Sequence, residues 1–291
     1  MSSRRAKLKN GTLFDSEFLN RFGFYHSSNV PYSIQLTALR DFYPQTVPED
    51  ELSAFCDVLE HEICAYEPRG MLYGPLCLVD ALQGRKRVNY ARQPQCMPTF
   101  VEPDVLSIHR CDASDLVLVD DFWVFESLSQ SPAFAEMGIL LMTGSGIPRF
   151  GARRFLHRLE RECGLRIHMV TDNDTWGYWI YSVLKRGLLA PGMETRFTAI
   201  KNVSFLGARA GDWRTFGVPV ERLRPWQKQW DLRLKELRKQ KCFKALKWQN
   251  ELRRFAKDGC GLDLRVLVEH LGVDEFVSTF LQPRLKKTSG R

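Results

Sequence analysis

The sequence predicts an α/β fold: a parallel sheet flanked by helices, preceded by a short N-terminal segment and followed by a basic helical part. Three observations carry this. Short apolar runs alternate with helix-like segments between Asp115 and Gly187. Those runs are continuous rather than alternating, which marks strands buried on both faces. Acids and glycines stand where the runs stop, and open parallel sheets bind ligands beyond the carboxyl ends of their strands.

The elements follow in order. "SEFLNRFGFYHSS" reads as a short helix with Phe18, Leu19, Phe22 and Tyr25 on one side. Residues 49–65 place Leu52, Phe55, Leu59 and Ile63 at helical spacing. Residues 1–65 are one segment and residues 66–291 a second, larger domain. "PRGMLYGPLCLVDALQGRKRVNY" gives two strands around "LQGRK", a hairpin with a glycine turn. Residues 102–115 read as a loop, with Pro103 and scattered polar side chains. "LVLVD" (116–120) is a buried strand, "FWVFESLSQS" a helix, and "GILLMTG" (138–144) a second strand. "RFGARRFLHRLERECG" is a basic amphipathic helix ending at Gly164. "LRIHMVTD" is the third strand and "WGYWIYSVLKRG" the next helix, stopped by Gly187.

The last third is helical and basic. Between Glu221 and Lys257 thirteen Lys or Arg face four Asp or Glu. Trp226, Trp230, Leu234, Leu237, Phe243, Leu246, Leu252 and Phe255 supply its buried faces. The basic side chains are either solvated faces of packed helices or a surface that follows DNA phosphates.

Composition narrows the function. The chain has 291 residues, 44% of them hydrophobic, enough for a large core. It holds no apolar run long enough to span a bilayer. Eight cysteines show no CxxC pair or zinc-type spacing, so they read as reduced, mostly buried thiols of an intracellular protein. No P-loop is present. A net charge of +8 favours a polyanionic partner, nucleic acid being the commonest.

Asp120, Gly144 to Gly146, and the pair Asp172 and Asp174 all fall at strand ends. Three separate segments thus converge on one rim. Carboxylates this close repel, so a divalent metal, a nearby Arg or Lys, or open water must relieve them. An acid after one strand and a DxD after another suit Mg²⁺, a hard ion that takes few protein oxygens and keeps water and phosphate. His157 and His168 have no acid or nucleophile beside them in sequence and read as core or surface residues. Glu102 and Glu126 read as solvated.

The order strand, acid, helix, strand, Gly turn, helix, strand, DxD, helix resembles a Toprim domain, the metal-binding module of topoisomerases and primases. The text from "LLMTGSGIPRFGARRFL" to "IYSVLKRG" is similar to the A-type chain of topoisomerase VI and to its relative, the meiotic double-strand-break transesterase. Thr143, Gly144, Gly146, Pro148, Arg153, Phe155, Leu156, Asp172, Asp174, Gly177, Ile180, Tyr181, Lys185 and Gly187 carry the likeness. "PRGMLYGPL" upstream, and "VSFLG" and "LDLRVLVEHLGVDEFVSTFLQPRL" downstream, extend it from about Arg69 to Leu285.

Three departures stand out. The family's first metal acid is a Glu followed by Lys, where "LVDDFWVF" supplies Asp120 and Asp121. Arg149 stands where the family often has an acid. The family's N-terminal winged-helix domain, which carries a nucleophilic tyrosine, is matched here by a short, truncated segment.

The resemblance implies Mg²⁺, with Mn²⁺ as a substitute, held by Asp120, Asp172 and Asp174, Asp121 being the alternative first acid. It implies a tyrosine that attacks DNA, with Tyr25 in "RFGFY" preferred and Tyr43 in "RDFYP" the runner-up. Both tyrosines as simple packing residues is the third option. Arg21 and Arg153 would contact phosphate. Double-stranded DNA, a homodimer and an ATPase B subunit of GHKL type are the implied partners, in a DNA-associated intracellular setting. The implied activity is Mg²⁺-dependent double-strand cleavage through a 5′-phosphotyrosyl link. A DNA-binding or scaffolding member without cleavage, and a Toprim nuclease using water, are the alternatives.

Overall fold

The computed structural model describes residues 70–289, apart from 82–83, 99–100, 102, 104, 149 and 188–197. The N-terminal segment with Arg21, Tyr25 and Tyr43 lies outside the described residues, as do Glu102 and Arg149. The first strands are β1 (Met71–Tyr73), β2 (Leu76–Asp80), β3 (Lys86–Asn89), β4 (Gln95–Cys96) and β5 (Leu106–Cys111). Next come β6 (Asp115–Val119), α1 (Phe122–Ser129), α2 (Pro132–Ala135), β7 (Leu140–Thr143), α3 (Phe150–Cys163), β8 (Arg166–Val170) and α4 (Thr175–Arg186). The chain continues through β9 (Ser204–Phe205), α5 (Asp212–Thr215), β10 (Arg224–Pro225), α6 (Lys228–Lys239), α7 (Leu246–Asp258), β11 (Cys260–Gly261) and α8 (Leu264–Leu271). A closing helical stretch, α9, runs through Val273–Glu275, Phe276–Leu281 in π turns, and Gln282–Ser289.

Six strands form the main sheet in the order β4-β1-β7-β6-β8-β9. β7, β6, β8 and β9 are parallel, and β1 and β4 add an antiparallel edge. The expected parallel sheet is therefore the centre of a mixed one. Every residue of β6 and β7 is buried. Leu116, Leu118, Leu140, Met142, Ile167 and Met169 point to one face, against α3, α4, α6 and α7. Val117, Val119, Leu141 and Val170 point to the other, against α1, α8 and α9. Two covered faces explain why these strands read as unbroken apolar runs.

The β2–β3 hairpin pairs Leu78 with Val88 and Asp80 with Lys86, as the sequence indicated. The loop expected over 102–115 is corrected: Leu106–Cys111 is a strand on the other edge of β2, making a second sheet β3-β2-β5. Its apolar residues are few because one side faces water, so Leu106 and Ile108 alone point inward. The six described cysteines are free thiols, five half-buried and Cys96 exposed, rather than mostly buried.

The basic helix α3 is also corrected as a surface helix, since Arg153, Arg154 and Arg158 are buried. A buried guanidinium must find acceptors. Arg158 donates to the carbonyl oxygens of Val101 and, at 2.9 Å, Leu106, and clasps Glu162 at 2.6 and 2.8 Å. It thereby ties the small sheet to α3. In the basic third, Trp230, Leu234, Leu237, Trp248, Leu252 and Phe255 are buried. Leu246 is 70% exposed instead, because it opens α7 and Trp248, Leu252 and Phe255 hold the inward phase. His168 does have an acid partner that sequence proximity hid: Asp115 accepts from its Nε2 at 2.8 Å and from Arg166 at 2.6 and 2.7 Å. Burial alone would raise the Asp115 carboxyl, but Arg166, His168 and Ser114 hold it well below the usual range. This cluster sits at the amino end of the strands.

Helix α4 starts tight against the DxD turn. A Cβ on Gly177 would lie 2.5 Å from the Asp172 carbonyl oxygen and 2.7 Å from Thr171 Oγ1. Gly177→Ala should therefore destabilise the fold by about 1–3 kcal/mol, the range for overpacking. Urea denaturation of the two proteins checks this, and equal midpoints would contradict the close approach.

Candidate metal centre

β6 and β8 are neighbours with Val119 beside Val170. After β6 the chain turns to one face of the sheet, into α1, and after β8 to the other, into α4. Adjacent strands whose connections diverge leave a crevice at their carboxyl ends, the usual ligand position in such sheets. Asp120 follows β6 into this crevice, and Asp172 and Asp174 follow β8.

Each carboxylate has a distinct local role. Asp120 Oδ2 accepts from Thr171 Oγ1 at 2.5 Å, while its Oδ1 is buried with no hydrogen-bond partner. Asp121 caps α1, its Oδ1 accepting from Val124 N at 2.8 Å. Asp172 Oδ1 accepts from Leu264 N at 2.8 Å. Asp174 caps α4, its Oδ1 accepting from Gly177 N at 2.7 Å. Capping occupies Asp121 with its own helix and leaves Asp120 as the acid directed toward β8.

The turn after β7 closes one side. Gly146 N donates to the Asp120 carbonyl oxygen at 2.7 Å. Gly146 has φ +100 and Ser145 φ 51, so the bend needs left-handed backbone at two successive residues. Arg153 lies beneath this turn, fully buried, and donates from Nη1 to the Pro148 carbonyl oxygen at 2.8 Å.

Arg224, on β10, reaches in from the opposite side. Its Nη1 donates to Asp174 Oδ2 at 2.6 Å, and its Nη2 stands 3.5 Å from Asp172 Oδ2 and pairs with Asp263. Of the three ways to relieve neighbouring carboxylates, the chain itself supplies the arginine. Backbone pairing fixes the arrangement: Asn173 bridges Leu262 with N–H···O distances of 2.9 and 3.3 Å, and Arg224 lies opposite Gly261.

Sequence reasoning missed Arg224 and Asp263. Asp263 has the look of a helix N-cap before "LRVLVEHL", yet it makes no capping hydrogen bond and turns to Arg224. Nothing local to "RLRPW" marks Arg224, which meets its acids only through the fold.

The electrostatics are tense despite that guanidinium. Burial, then the charges of Asp174 and Asp121, push the Asp120 carboxyl up to about 7, against the pull of Thr171. Burial raises Asp172, with Asp120, Asp174 and Asp263 adding to the rise. Burial also raises Asp174, although Gly177 N–H and Arg224 oppose it. The donor set fits a hard divalent cation: several carboxylates, one buried oxygen without a partner, and protons that a cation would displace. Among the described residues, however, no three acid, His or Cys side chains stand as a closed set around one point, because Arg224 stands among them.

A parallel sheet with acids converging at its switch point, a glycine turn beside the first acid and a DxD capping the last helix defines a Toprim domain. Residues 116–285 match the family model for the Toprim domain of Spo11 and of the topoisomerase 6 A-type chain, and the protein belongs to that family. It is 29% identical over 178 residues to the A-type chain of type 2 DNA topoisomerase 6 from Hyperthermus butylicus, covering 57% of this chain and 45% of that protein. It is 34% identical over 110 residues to the corresponding chain from Aeropyrum pernix, covering 38% of this chain and 28% of the other. To the meiotic recombination protein SPO11-1 of Arabidopsis thaliana it is 25% identical over 179 residues, covering 60% and 48%. The aligned part spans about half the length of these relatives or less.

The raised Asp120 sets a pH dependence. Its folded carboxyl binds a proton up to about 7, whereas an unfolded one releases it near about 3.9. Its contribution to stability is therefore greatest below about 4 and is lost as pH rises toward 7. Asp120→Asn should raise the melting temperature of the metal-free protein at pH 7 and leave it unchanged at pH 4. A lower melting temperature at pH 7 would mean that the carboxylate is already well compensated.

Proposed function

We propose that the chain acts on double-stranded DNA as a cleaving transesterase of the topoisomerase VI A type. The observation that carries this is the convergence of Asp120, Asp172 and Asp174 at the switch point of a Toprim sheet, within the family match. Mg²⁺, or Mn²⁺ in its place, would be held by these carboxylates and would supply electrostatic stabilisation of the charge that develops on phosphate.

In this reading the phenolic oxygen of Tyr25, or of Tyr43 as the alternative, attacks a DNA phosphorus and displaces the 3′ oxygen. The protein is left joined to the 5′ phosphate. A phenol near pKa 10 needs nearby positive charge to ionise, and Arg21, four residues before Tyr25 and so on the same face of a helix, is placed to supply it. Arg153 supports the glycine turn through Pro148, so its effect on phosphate is indirect. A homodimer makes two staggered nicks, and strand passage requires an ATPase partner of GHKL type. The exposed Lys228, Lys235, Lys239, Lys241, Lys244 and Lys247 of the α6–α7 region are the proposed backbone-binding face. No helix among the described residues is long and apolar enough to cross a membrane.

One observation favours a second reading, a DNA-binding member without cleavage: Arg224 already satisfies part of the acid cluster. The test is to incubate the protein, DNA and Mn²⁺ with a candidate ATPase partner, denature, and look for a covalent adduct. Wild type should form it, Tyr25→Phe should not, and Tyr43→Phe should leave it intact. DNA nicked without an adduct indicates hydrolysis by water, and binding without nicking supports the second reading. Reversing Lys239, Lys241 and Lys244 to Glu should weaken DNA binding and flatten its salt dependence, which falls by about 0.9 logarithmic units per phosphate contact. An unchanged slope would return these lysines to solvated surface.

A further inference from the structure

The oxygens of the acid cluster are unequally engaged. Asp174 is fully used, with Oδ1 on Gly177 N and Oδ2 on Arg224 Nη1 at 2.6 Å. Asp172 gives Oδ1 to Leu264 N and keeps only a long 3.5 Å contact from Oδ2 to Arg224. Asp120 gives Oδ2 to Thr171 and leaves a buried Oδ1 with no partner. The side of the cluster away from Arg224 is thus the side with oxygen to spare.

Arg224 is fixed where it stands. Its backbone pairs with Gly261, and its guanidinium also meets Asp263, which makes no helix-capping bond and so serves Arg224. An arginine stays charged at any ordinary pH and cannot be neutralised to admit a neighbouring cation. Asp120, Asp172, Asp174 and Asp263, counted as carboxylates, carry four negative charges against its one positive. One divalent ion leaves the group close to balance, and a second would face the guanidinium directly.

We propose that Arg224 is a resident cation standing in place of a second divalent ion. The site then holds one ion per chain, on the Asp120 and Asp172 side. Asp174 serves Arg224 and the α4 cap rather than the ion. This rests on the metal reading above and narrows its ligand set.

The test is a Mn²⁺ titration of the full chain, counted by electron paramagnetic resonance and calorimetry. Wild type should bind one ion per chain, and Arg224→Gln should bind two and show a larger metal-induced rise in melting temperature. Asp120→Asn and Asp172→Asn should each weaken binding by about tenfold or more, the scale on which even outer-shell partners of a metal act. Asp174→Asn should leave the affinity nearly unchanged. Two ions on wild type, or one ion on a folded Arg224→Gln, overturns the proposal. Should Arg224→Gln not fold, a loss of affinity in Asp174→Asn equal to that in Asp172→Asn overturns it. No Mn²⁺ binding by wild type, or binding untouched by Asp120→Asn and Asp172→Asn, sinks the metal reading itself, and this proposal with it.

Discussion

Carboxylates crowded at the end of a buried strand are unstable company, and the guanidinium of Arg224 is what lets them stay there. It meets Asp172, Asp174 and Asp263, which lie on two separate stretches of chain. Much of the architecture is arranged around that contact. β10 exists as a two-residue strand pairing with β11, and β11 leads through Leu262 to the bridge with Asn173. The ion pairs are only partly shielded from water, so the arginine is moderately rather than strongly stabilising. Its larger effect is positional, because it decides which carboxylate oxygens point inward.

The same junction continues below the charges as a buried polar and aromatic layer. Asn173 Nδ2 donates to Tyr178 OH at 2.6 Å, and Tyr178 OH donates to Glu251 Oε1 at 2.9 Å. Ala210 N donates to the same Glu251 oxygen at 2.8 Å. Burial and the adjacent Glu251 raise the Tyr178 hydroxyl well above its ordinary pKa, so it remains a protonated donor. Tyr178 also packs edge-on against Phe243, Trp248 and Phe255. The basic helical third is therefore not an appendage, since its inner side completes the core beneath the DxD turn while its lysines face solvent.

What the sequence made legible was local. Unbroken apolar runs identified β6, β7 and β8, and Gly187, at φ +89, closes α4 where expected. The metal acids fell at strand ends because a strand that stops being apolar has left the core. The missed features are contacts between distant positions or departures from a usual environment. Leu106–Cys111 was hidden because one of its sides faces water, leaving too few apolar residues to show a period. The arginines of α3 look like surface residues until Arg158 meets the carbonyls of a sheet some fifty residues away. Arg224 and Asp263 carry no periodic or motif signal, and their meaning comes entirely from what the fold brings beside them.

The bond from Leu264 N to Asp172 Oδ1 joins residues 92 apart in sequence, and Arg224 lies 50 from Asp174. Closing such spans takes loop entropy that grows with length, and contacts of high sequence separation form slowly. Strands β6, β7 and β8 need only their own helices to assemble, but the site's inner wall must wait for residues 260–264. During synthesis the acids are thus made early and their partners late. Until Arg224 and the Leu262 bridge arrive, the DxD turn is a bare acidic edge, open to water and to any polycation nearby. The timing of chain completion, as much as the final geometry, sets when this centre first exists.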